Sequence, residues 1–363
     1  MLKILKRDDL SKNKAIFIRF AAIALSLVFS GIFILALGFN PVEVYANMIS
    51  GAFGTEMRIR ETIIKSIPLV ITSLGILVAF KMKFWNIGGE GQIIMGAFAA
   101  AYVALNYSQS MPRPLLLLLM AAASMIVGGF WAFIPAFFKV RFGTNETIFT
   151  LMLNYIAIKW VTYLQYGPWK DPSAQGFPKV ANFDANAILP SLFGIHIGWI
   201  VAILLTIVIH IFMTHTKRGY EIAVVGESVD TAKYAGMNIK AIIITAMLIS
   251  GGLCGLTGMI QASAIEKTLT VSLSGGYGFT AIITTWLSGL KAPYVLITSV
   301  AFALLLQGGS FIQIAMQVPA AVADMIQGMI LFFVLGSEFF IRYTIKFVRV
   351  GKSDAQGNVK EAS

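Results

Sequence analysis

The feature that most constrains this chain is a series of apolar runs, each long enough to cross a lipid bilayer as a helix. Such runs span as α-helices because every backbone polar group must find its partner inside the segment. Only 12% of the residues are charged, against about a quarter in soluble domains. The sequence therefore predicts an all-α polytopic membrane protein, with ten transmembrane helices at 15–39, 62–80, 87–105, 114–138, 146–165, 194–213, 241–261, 277–290, 293–312 and 320–341.

Basic residues predict the orientation of these spans. With the N-terminus inside, the predicted cytoplasmic segments hold 20 of the 28 Lys and Arg residues and the outer segments hold 7. This asymmetry places both termini in the cytoplasm. The remaining Lys159 falls within a span, near enough to its outer end to snorkel. The net charge of +11 thus reflects the basic residues that set the orientation of the spans. It does not predict a nucleic-acid partner.

The organisation predicted from this topology is a single transmembrane domain with short flanks. A basic cytoplasmic N-terminus (1–14) precedes the domain (15–345), and a polar cytoplasmic tail (346–363) follows it. The first span resembles a signal peptide but is longer, so we expect it to be retained. Three connections are long: an outer loop at 40–61 with mixed charge and several polar residues, an external loop at 166–190 with several prolines, and a cytoplasmic loop at 217–240.

The stretch 84–92, Phe-Trp-Asn-Ile-Gly-Gly-Glu-Gly-Gln, is polar although it lies between two apolar runs. Amide and carboxylate side chains at this depth are costly unless they face a pathway or partner groups. Its glycines allow the backbone to leave helical geometry or to approach a neighbour closely. A simple turn between two spans is the alternative reading. For Glu90, helix capping competes with a role in a pathway or gate, and for Asn154 an interhelical hydrogen bond competes with pathway lining.

A second glycine-interrupted segment, 274–280, occupies the equivalent place in the second half of the chain. Spans two to five and seven to ten run in opposite directions in the predicted topology. Paired interrupted helices in inverted halves are typical of a transport pathway near the midplane of the membrane. The predicted substrate pathway comprises Phe84, Trp85, Asn86, Glu90, Gln92, Asn154, Tyr277 and Thr280.

Enzymatic chemistry has little support in the sequence. There is no phosphate-binding loop motif and no dinucleotide fingerprint. His196, His210 and His215 lack a metal-ligand pattern and are expected at an interface, and Cys254 is expected to be a small packing residue. We predict no catalytic residue, no metal and no cofactor. Glu90 with Asp324 could form a proton relay, so an ion-gradient-driven secondary carrier for a small polar solute stays open as an alternative; a scaffold or receptor is less favoured.

Several motifs together resemble a known family. Residues 84–92 with Gly96-Ala97-Phe98 are similar to the signature of permease subunits in the ribose and branched-chain amino acid group of ABC importers. Residues 146–157, 167–172 and 278–282 look more narrowly like the nucleoside-type permeases, which work with a binding protein of the basic membrane lipoprotein type. The resemblance covers about residues 15–345. At the position of Trp286, a smaller aliphatic residue is usual in that family.

The resemblance implies a transporter subunit of a bacterial cell membrane that takes a nucleoside or simple sugar from an extracellular binding lipoprotein. It implies that ATP is bound and hydrolysed on a separate ATPase subunit and that a second permease subunit, the same chain or a homologue, completes the channel. Residues 223–237 resemble the family's coupling helix. From the residues themselves, Ser228 is predicted to cap a short helix from Val229 to Ala235 that ends at Gly236. The residues that the resemblance assigns to the ATPase contact are Glu227, Ser228, Thr231, Ala232, Tyr234, Ala235 and Gly236.

Overall fold

A computed structural model describes residues 2–6, 12–174, 176 and 178–347 of the 363-residue chain. The predicted cytoplasmic tail lies almost entirely outside the described residues. The helices are α1 (Lys12–Ala36), α2 (Pro41–Phe53), α3 (Glu56–Lys81), α4 (Gly89–Tyr107), α5 (Arg113–Phe142), α6 (Glu146–Tyr166), α7 (Gly198–His215), α8 (Lys217–Glu227), α9 (Val229–Tyr234), α10 (Ile239–Ile260), α11 (Tyr277–Leu287), α12 (Ala292–Ala315) and α13 (Ala320–Arg342).

Each of the ten predicted spans coincides with a helix. Six helices in the described part of the chain are long and apolar enough to cross a membrane, or seven if the bent pair α1–α2 is one span. The protein is therefore an all-α polytopic membrane protein with six or seven candidate spans in its described residues. Helices α4, α11 and α13 are not among the six: α11 has 11 residues, and the 19-residue α4 begins with the polar residues Glu90 and Gln92. Ten crossings and the cytoplasmic placement of the termini stay predictions.

The connection between the first two predicted spans is largely helical, which the span pattern does not predict. The expected outer loop after the first span contains α2, which bends by 115° from the end of α1. Helix α3 begins six residues before its predicted span, because Thr55 caps it by accepting a hydrogen bond from the Arg58 backbone N–H. The polar residues near this start had indicated a loop, yet Glu56 and Arg60 form an ion pair one turn apart that suits a helix.

The described strands are short and were not predicted. Strand β1 (Leu2–Lys6) pairs antiparallel with β4 (Tyr343–Phe347), and β2 (Ser191–Leu192) pairs with β3 (Ile195–His196). The first ladder brings the two ends of the described chain side by side. The chain divides into two compact units, residues 1–46 with 316–363, and residues 47–315. In the first unit α1 packs against α13, where the rings of Phe29 and Phe333 lie 5.1 Å apart.

Helix α10 is the centre of the second unit and packs against α3, α4 and α5. The close approach of α10 to these helices depends on glycine residues. A Cβ added to Gly255 would lie 2.2 Å from the Ser124 carbonyl oxygen on α5, and one added to Gly258 would lie 2.0 Å from the Ile93 carbonyl oxygen on α4. Small residues let helix backbones meet, which is how apolar helices associate where burial from water provides no driving force. Cys254 is buried in this helix as predicted.

The loop between α6 and α7 packs on the chain that follows α10. The Phe183 backbone N–H donates to the Lys267 carbonyl at 2.8 Å, and the Thr268 hydroxyl donates to the Val180 carbonyl at 2.9 Å. Trp169 stacks on Phe98 of α4 with ring centroids 5.3 Å apart. The described part of the loop is therefore ordered, as its prolines and turn-forming residues predicted.

Candidate functional site

The polar stretch 84–92 is a non-helical connection followed by the first turn of α4. Helix α3 ends at Lys81 and α4 begins at Gly89. The side chain of Asn86 holds the connection together: its oxygen accepts from the Gly88 backbone N–H at 3.0 Å and from the Gln92 amide at 3.1 Å. Its amide donates to the Ser250 hydroxyl of α10 at 3.1 Å. Asn86 and Gln92 are buried, and their polar atoms bond within the protein.

Helix α6 clamps the same connection from the other side. The Asn154 side chain accepts from the Gly91 backbone N–H at 2.8 Å and donates to the Ile87 carbonyl at 3.0 Å. One turn earlier, Thr150 accepts from the Ile87 backbone N–H at 3.2 Å. Asn154 thus makes the interhelical hydrogen bonds that competed with pathway lining in the sequence analysis. Thr150 was missed, although its place one turn from Asn154 on the same helix face was an available signal.

Glu90 joins the two interrupted helices. Its carboxylate accepts from the backbone N–H of Gly278 at 2.8 Å and of Gly276 at 3.0 Å, at the N-terminus of α11. The Ser274 side chain is a further partner. A Cβ on Gly278 would lie 2.3 Å from the Glu90 backbone nitrogen, so the close contact requires glycine. A carboxylate at a helix N-terminus satisfies unpaired N–H groups and complements the helix dipole. The structure therefore shows the capping contact that the sequence left as an alternative.

The remaining predicted pathway residues lie in different surroundings. The indole of Trp85 is 45% exposed and lies against Phe80 and Trp286, with ring centroids 5.4 and 5.5 Å away. Phe84 is buried in the core. Tyr277 and Thr280 are half-buried on α11, and the Thr280 hydroxyl donates to the Gly276 carbonyl. Within the described residues, Trp85 is thus the most accessible member of the predicted set.

The predicted coupling loop forms two helices, α8 and α9. Ser228 caps α9 by accepting from the Thr231 backbone N–H at 3.2 Å, and Gly236 follows in a left-handed conformation (φ +72°), which confirms the local prediction. Tyr234 is 94% exposed, whereas Ala232 is fully buried. The other residues assigned to the ATPase contact, Glu227, Ser228, Thr231, Ala235 and Gly236, are exposed or half-buried. Ala232 thus anchors α9 instead of presenting a contact surface.

Helix α8 connects this loop to the transmembrane helices. It packs so closely on the end of α3 that a Cβ on Gly226 would lie 2.0 Å from the Lys81 carbonyl oxygen. A cavity of about 300 Å³ lies beside this contact, lined by Phe84 of the polar stretch and by Glu227 and Val229 of the coupling loop. Lys139 and Glu146, an ion pair at 2.8 Å, also line it. The two stretches that the sequence singled out therefore meet at one cavity.

His196 is buried within the protein, and its expected place at an interface stays a prediction. It is 6% exposed, lies in β3, and neither ring nitrogen has a hydrogen-bond partner among the described residues. Burial lowers its pKa to about 4, so the imidazole is neutral at physiological pH. His215, by contrast, is exposed at the end of α7.

A polytopic helical bundle in which two broken helices meet at a buried carboxylate is the architecture of a membrane permease. The chain belongs to the family described as the permease component of the branched-chain amino acid transport system, whose model matches residues 58–335. The resemblance to the permease group of ABC importers is thereby confirmed. The chain is a transporter subunit and not itself an enzyme.

Relatives match along nearly the whole chain. A glucose ABC transporter permease of Haloferax volcanii is 33% identical, over 92% of this chain and 89% of that protein. A guanosine ABC transporter permease of Bacillus subtilis is 31% identical, over 93% and 96%. A nucleoside ABC transporter permease of Lactococcus lactis is 29% identical, over 89% and 92%. This membership favours the importer over the ion-gradient-driven carrier.

Proposed function

We propose that this permease imports a nucleoside or a simple sugar, which an extracellular binding lipoprotein delivers and a separate ATPase subunit drives across the cell membrane. The observation that carries the substrate class is the near full-length match to permeases named for guanosine, nucleosides and glucose. We place the protein in a bacterial cell membrane, with the ordered loop between α6 and α7 facing the binding lipoprotein.

The proposed ATPase contact is the exposed face of α9. Tyr234 and Val229 are 94% and 44% exposed, which leaves an aromatic ring and an aliphatic side chain available to a partner. A six-residue helix is marginal alone, and buried Ala232 and the Ser228 cap hold it in place. Because Gly226 fixes α8 to the end of α3, a displacement of this loop would move α3 and the connection to α4.

In the proposed pathway, the polar atoms of Asn86, Gln92 and Asn154 position the 84–92 connection. When this connection moves, Glu90 transmits the movement to α11. Trp85 presents the exposed ring that can stack on a base or sugar. The other residues of the proposed pathway are Tyr277 and Thr280 on α11 and Phe84, which lines the cavity beside α8. Substrate passage in this scheme requires the Glu90–α11 contact to rearrange, which makes that contact the gate of an alternating-access cycle.

The proposed topology has ten crossings in two inverted halves with both termini in the cytoplasm. Paired strands β1 and β4 lie on one side of a membrane, which requires an even number of crossings. The N-termini of α4 and α11 meet at Gly89 and Gly278, as expected when two halves enter from opposite faces. The first feature favours ten crossings over seven, and the second supports the inverted halves.

The test is uptake of labelled nucleosides and pentoses by vesicles that contain the chain with the ATPase and lipoprotein encoded beside it. We expect ATP-dependent uptake of one of these classes. A variant lacking Thr231–Gly236 should insert normally and lose uptake, since the ATPase contact is gone.

A matched variant, Leu204→Ala on the exposed side of α7, retains the α9 contact and should keep its ATP-dependent uptake. Uptake that persists without ATP, or in the deletion variant, would contradict the importer mechanism. ATP-dependent uptake of a different solute would contradict the substrate class alone.

A further inference from the structure

The start of helix α5 carries a positive charge that has no acidic partner among the described residues. One guanidinium N–H of Arg113 donates to the Ile188 carbonyl at 2.7 Å. Its other N–H groups make no hydrogen bond or ion pair in the described part of the chain, and the first turn of α5 contains no acidic residue. The unpaired backbone N–H groups of a helix N-terminus add partial positive charge. This end of α5 is therefore electropositive and lacks a counter-charge among the described residues.

Two arginines at the start of α3, by contrast, have partners within the protein. The guanidinium group of Arg58 lies 4.1 Å from the ring centroid of Phe311, and Arg60 forms an ion pair with Glu56. Arg113 is exposed, so the donors that it does not use on the Ile188 carbonyl are accessible from outside the chain. They can receive an anion that the protein itself does not supply.

Arg113 also lines an apolar cavity of about 410 Å³ between α5 and α7. Met259 and Ile260 of α10, both buried, form part of its wall. Its aliphatic lining includes Leu118 of α5 and Val201 of α7. Because Leu118 is 69% exposed, this α5–α7 cavity reaches the surface of the transmembrane helices. Of the described residues that line it, Arg113 alone is charged.

The composition of the α5–α7 cavity decides what can occupy it. An apolar cavity of about 150 Å³ stays dry and binds apolar molecules, and this larger cavity falls within the usual range of ligand pockets, about 300–1,000 Å³. At the end of a membrane-spanning helix, the apolar molecules within reach are the acyl chains of lipids. The planar guanidinium group binds phosphate through two parallel hydrogen bonds. A phospholipid combines an acyl chain with a phosphate and so matches both parts of the site.

A second apolar cavity provides a comparison within the same chain. It has a volume of about 330 Å³, and Ile67 of α3, Trp199 of α7 and Val300 of α12 are among its lining residues. None of the described residues that line this α3–α7 cavity is charged. It can accept an acyl chain, but it has no group that distinguishes one lipid head group from another. Selectivity for a charged head group should therefore be confined to the α5–α7 cavity.

We infer that the α5–α7 cavity is a binding site for an anionic phospholipid. One acyl chain lies between α5 and α7 against Met259 and Ile260 of α10, and the guanidinium group of Arg113 binds the phosphate. The lipid then closes the gap between the two helices beside the ordered loop that precedes α7. This inference requires a chain that spans the membrane, and it is independent of the proposed substrate.

Native mass spectrometry of the full chain, purified in mild detergent with any subunits that stay bound, tests the site. The protein is titrated with dioleoylphosphatidylglycerol, which is anionic, or with dioleoylphosphatidylcholine, which has the same chains and no net charge. Lipid that remains bound after purification is identified in the same spectra and counted with the added lipid. We expect one phosphatidylglycerol to bind at a concentration about tenfold lower than phosphatidylcholine, as one charge-assisted hydrogen bond provides. The head-group analogue sn-glycerol 3-phosphate, which has no acyl chains, should not bind at these concentrations.

Matched variants separate the charge from the cavity. Arg113→Gln should lower the affinity for phosphatidylglycerol to that for phosphatidylcholine, whereas Arg141→Gln removes the same charge from the exposed other end of α5 and should leave the preference unchanged. Val201→Phe fills the α5–α7 cavity and should abolish the selective adduct. Its control is Val300→Phe, in the α3–α7 cavity, which should keep the adduct. Where Val201→Phe does not accumulate, Leu118→Trp at the exposed side of the cavity replaces it.

Three results would overturn the inference. The first is equal binding of the two lipids by the unmodified chain. The second is a preference for phosphatidylglycerol that survives Arg113→Gln or the filling of the cavity, or that Arg141→Gln weakens as much as Arg113→Gln does, because net charge and not the site would then attract the lipid. The third is binding of sn-glycerol 3-phosphate as strong as that of phosphatidylglycerol, which would show a phosphate site without a place for the acyl chain.

Discussion

The carboxylate of Glu90 is carried by α4 and receives its hydrogen bonds from the first amide groups of α11. These groups lie 186 and 188 residues away in the chain. Charge-assisted bonds of this kind are about twice as strong as neutral ones, and loss of an N-cap costs about 1 kcal/mol. One side chain therefore controls how firmly the two broken helices are held together.

Glu90→Gln tests this control. The amide keeps one acceptor oxygen and loses the charge, so we expect normal expression and an uptake rate lowered about five- to tenfold, by analogy with an N-cap loss of about 1 kcal/mol. Initial uptake rates and the amount of membrane-inserted protein are measured together. Glu56→Gln, on the exposed start of α3, is the control and should transport normally. Unchanged transport by Glu90→Gln would remove Glu90 from the mechanism.

At the scale of a single helix, the packing of α10 against its neighbours depends on glycines, which have no side chain. It contacts α3, α4 and α5, and Gly255 and Gly258 bring its backbone against theirs. A side chain at these points meets backbone atoms, which cannot turn aside as a flexible side chain can. The packing of the second unit is thus sensitive to single methyl groups along this helix.

Gly255→Ala should destabilise the protein, because its Cβ would lie 2.2 Å from the Ser124 carbonyl oxygen. Overpacking of this kind costs about 1–3 kcal/mol. The measurement is the midpoint of thermal denaturation in mild detergent, which we expect to fall. In Gly328→Ala the new methyl group meets no atom within 4 Å, and the midpoint should stay level or rise slightly. Equal midpoints for both variants would contradict the packing argument.

At the scale of the whole molecule, the central question is which ends of the helices face the cytoplasm. The α8–α9 loop and the loop between α6 and α7 are separated by α7 alone, a helix long and apolar enough to span. The two loops should therefore face opposite sides of the membrane. The distribution of basic residues predicts that the α8–α9 loop is inside.

Labelling of introduced cysteines from one side of the membrane tests which of the two loops faces the cytoplasm. Tyr234→Cys and Lys179→Cys place exposed thiols in the two loops, and the native Cys254 is buried. With a membrane-impermeant reagent on intact cells, we expect labelling at position 179 alone, and labelling at position 234 only after permeabilisation. The reverse pattern would invert the topology and remove α9 from the cytoplasmic ATPase.

The sequence by itself determined features that local patterns encode. Apolar runs located the ten helical segments, because hydrocarbon tolerates only internally bonded backbone. Ser228 and Gly236 marked α9, because a cap and a left-handed stop act within one turn. The polar residues of 84–92 were singled out because their burial has a high cost. None of these inferences required knowledge of distant contacts.

Only the tertiary structure decided what those polar residues do. The side chains of Asn86 and Asn154 bond to Gln92, Gly91 and Ile87 and so hold a connection in place, while their lining of a pathway stays a prediction. The pairing of Glu90 with α11 joins residues far apart in the chain, and no local pattern specifies such a partner. Helix α2 and the burial of His196 escaped prediction for the same reason: their surroundings come from segments that only folding brings together.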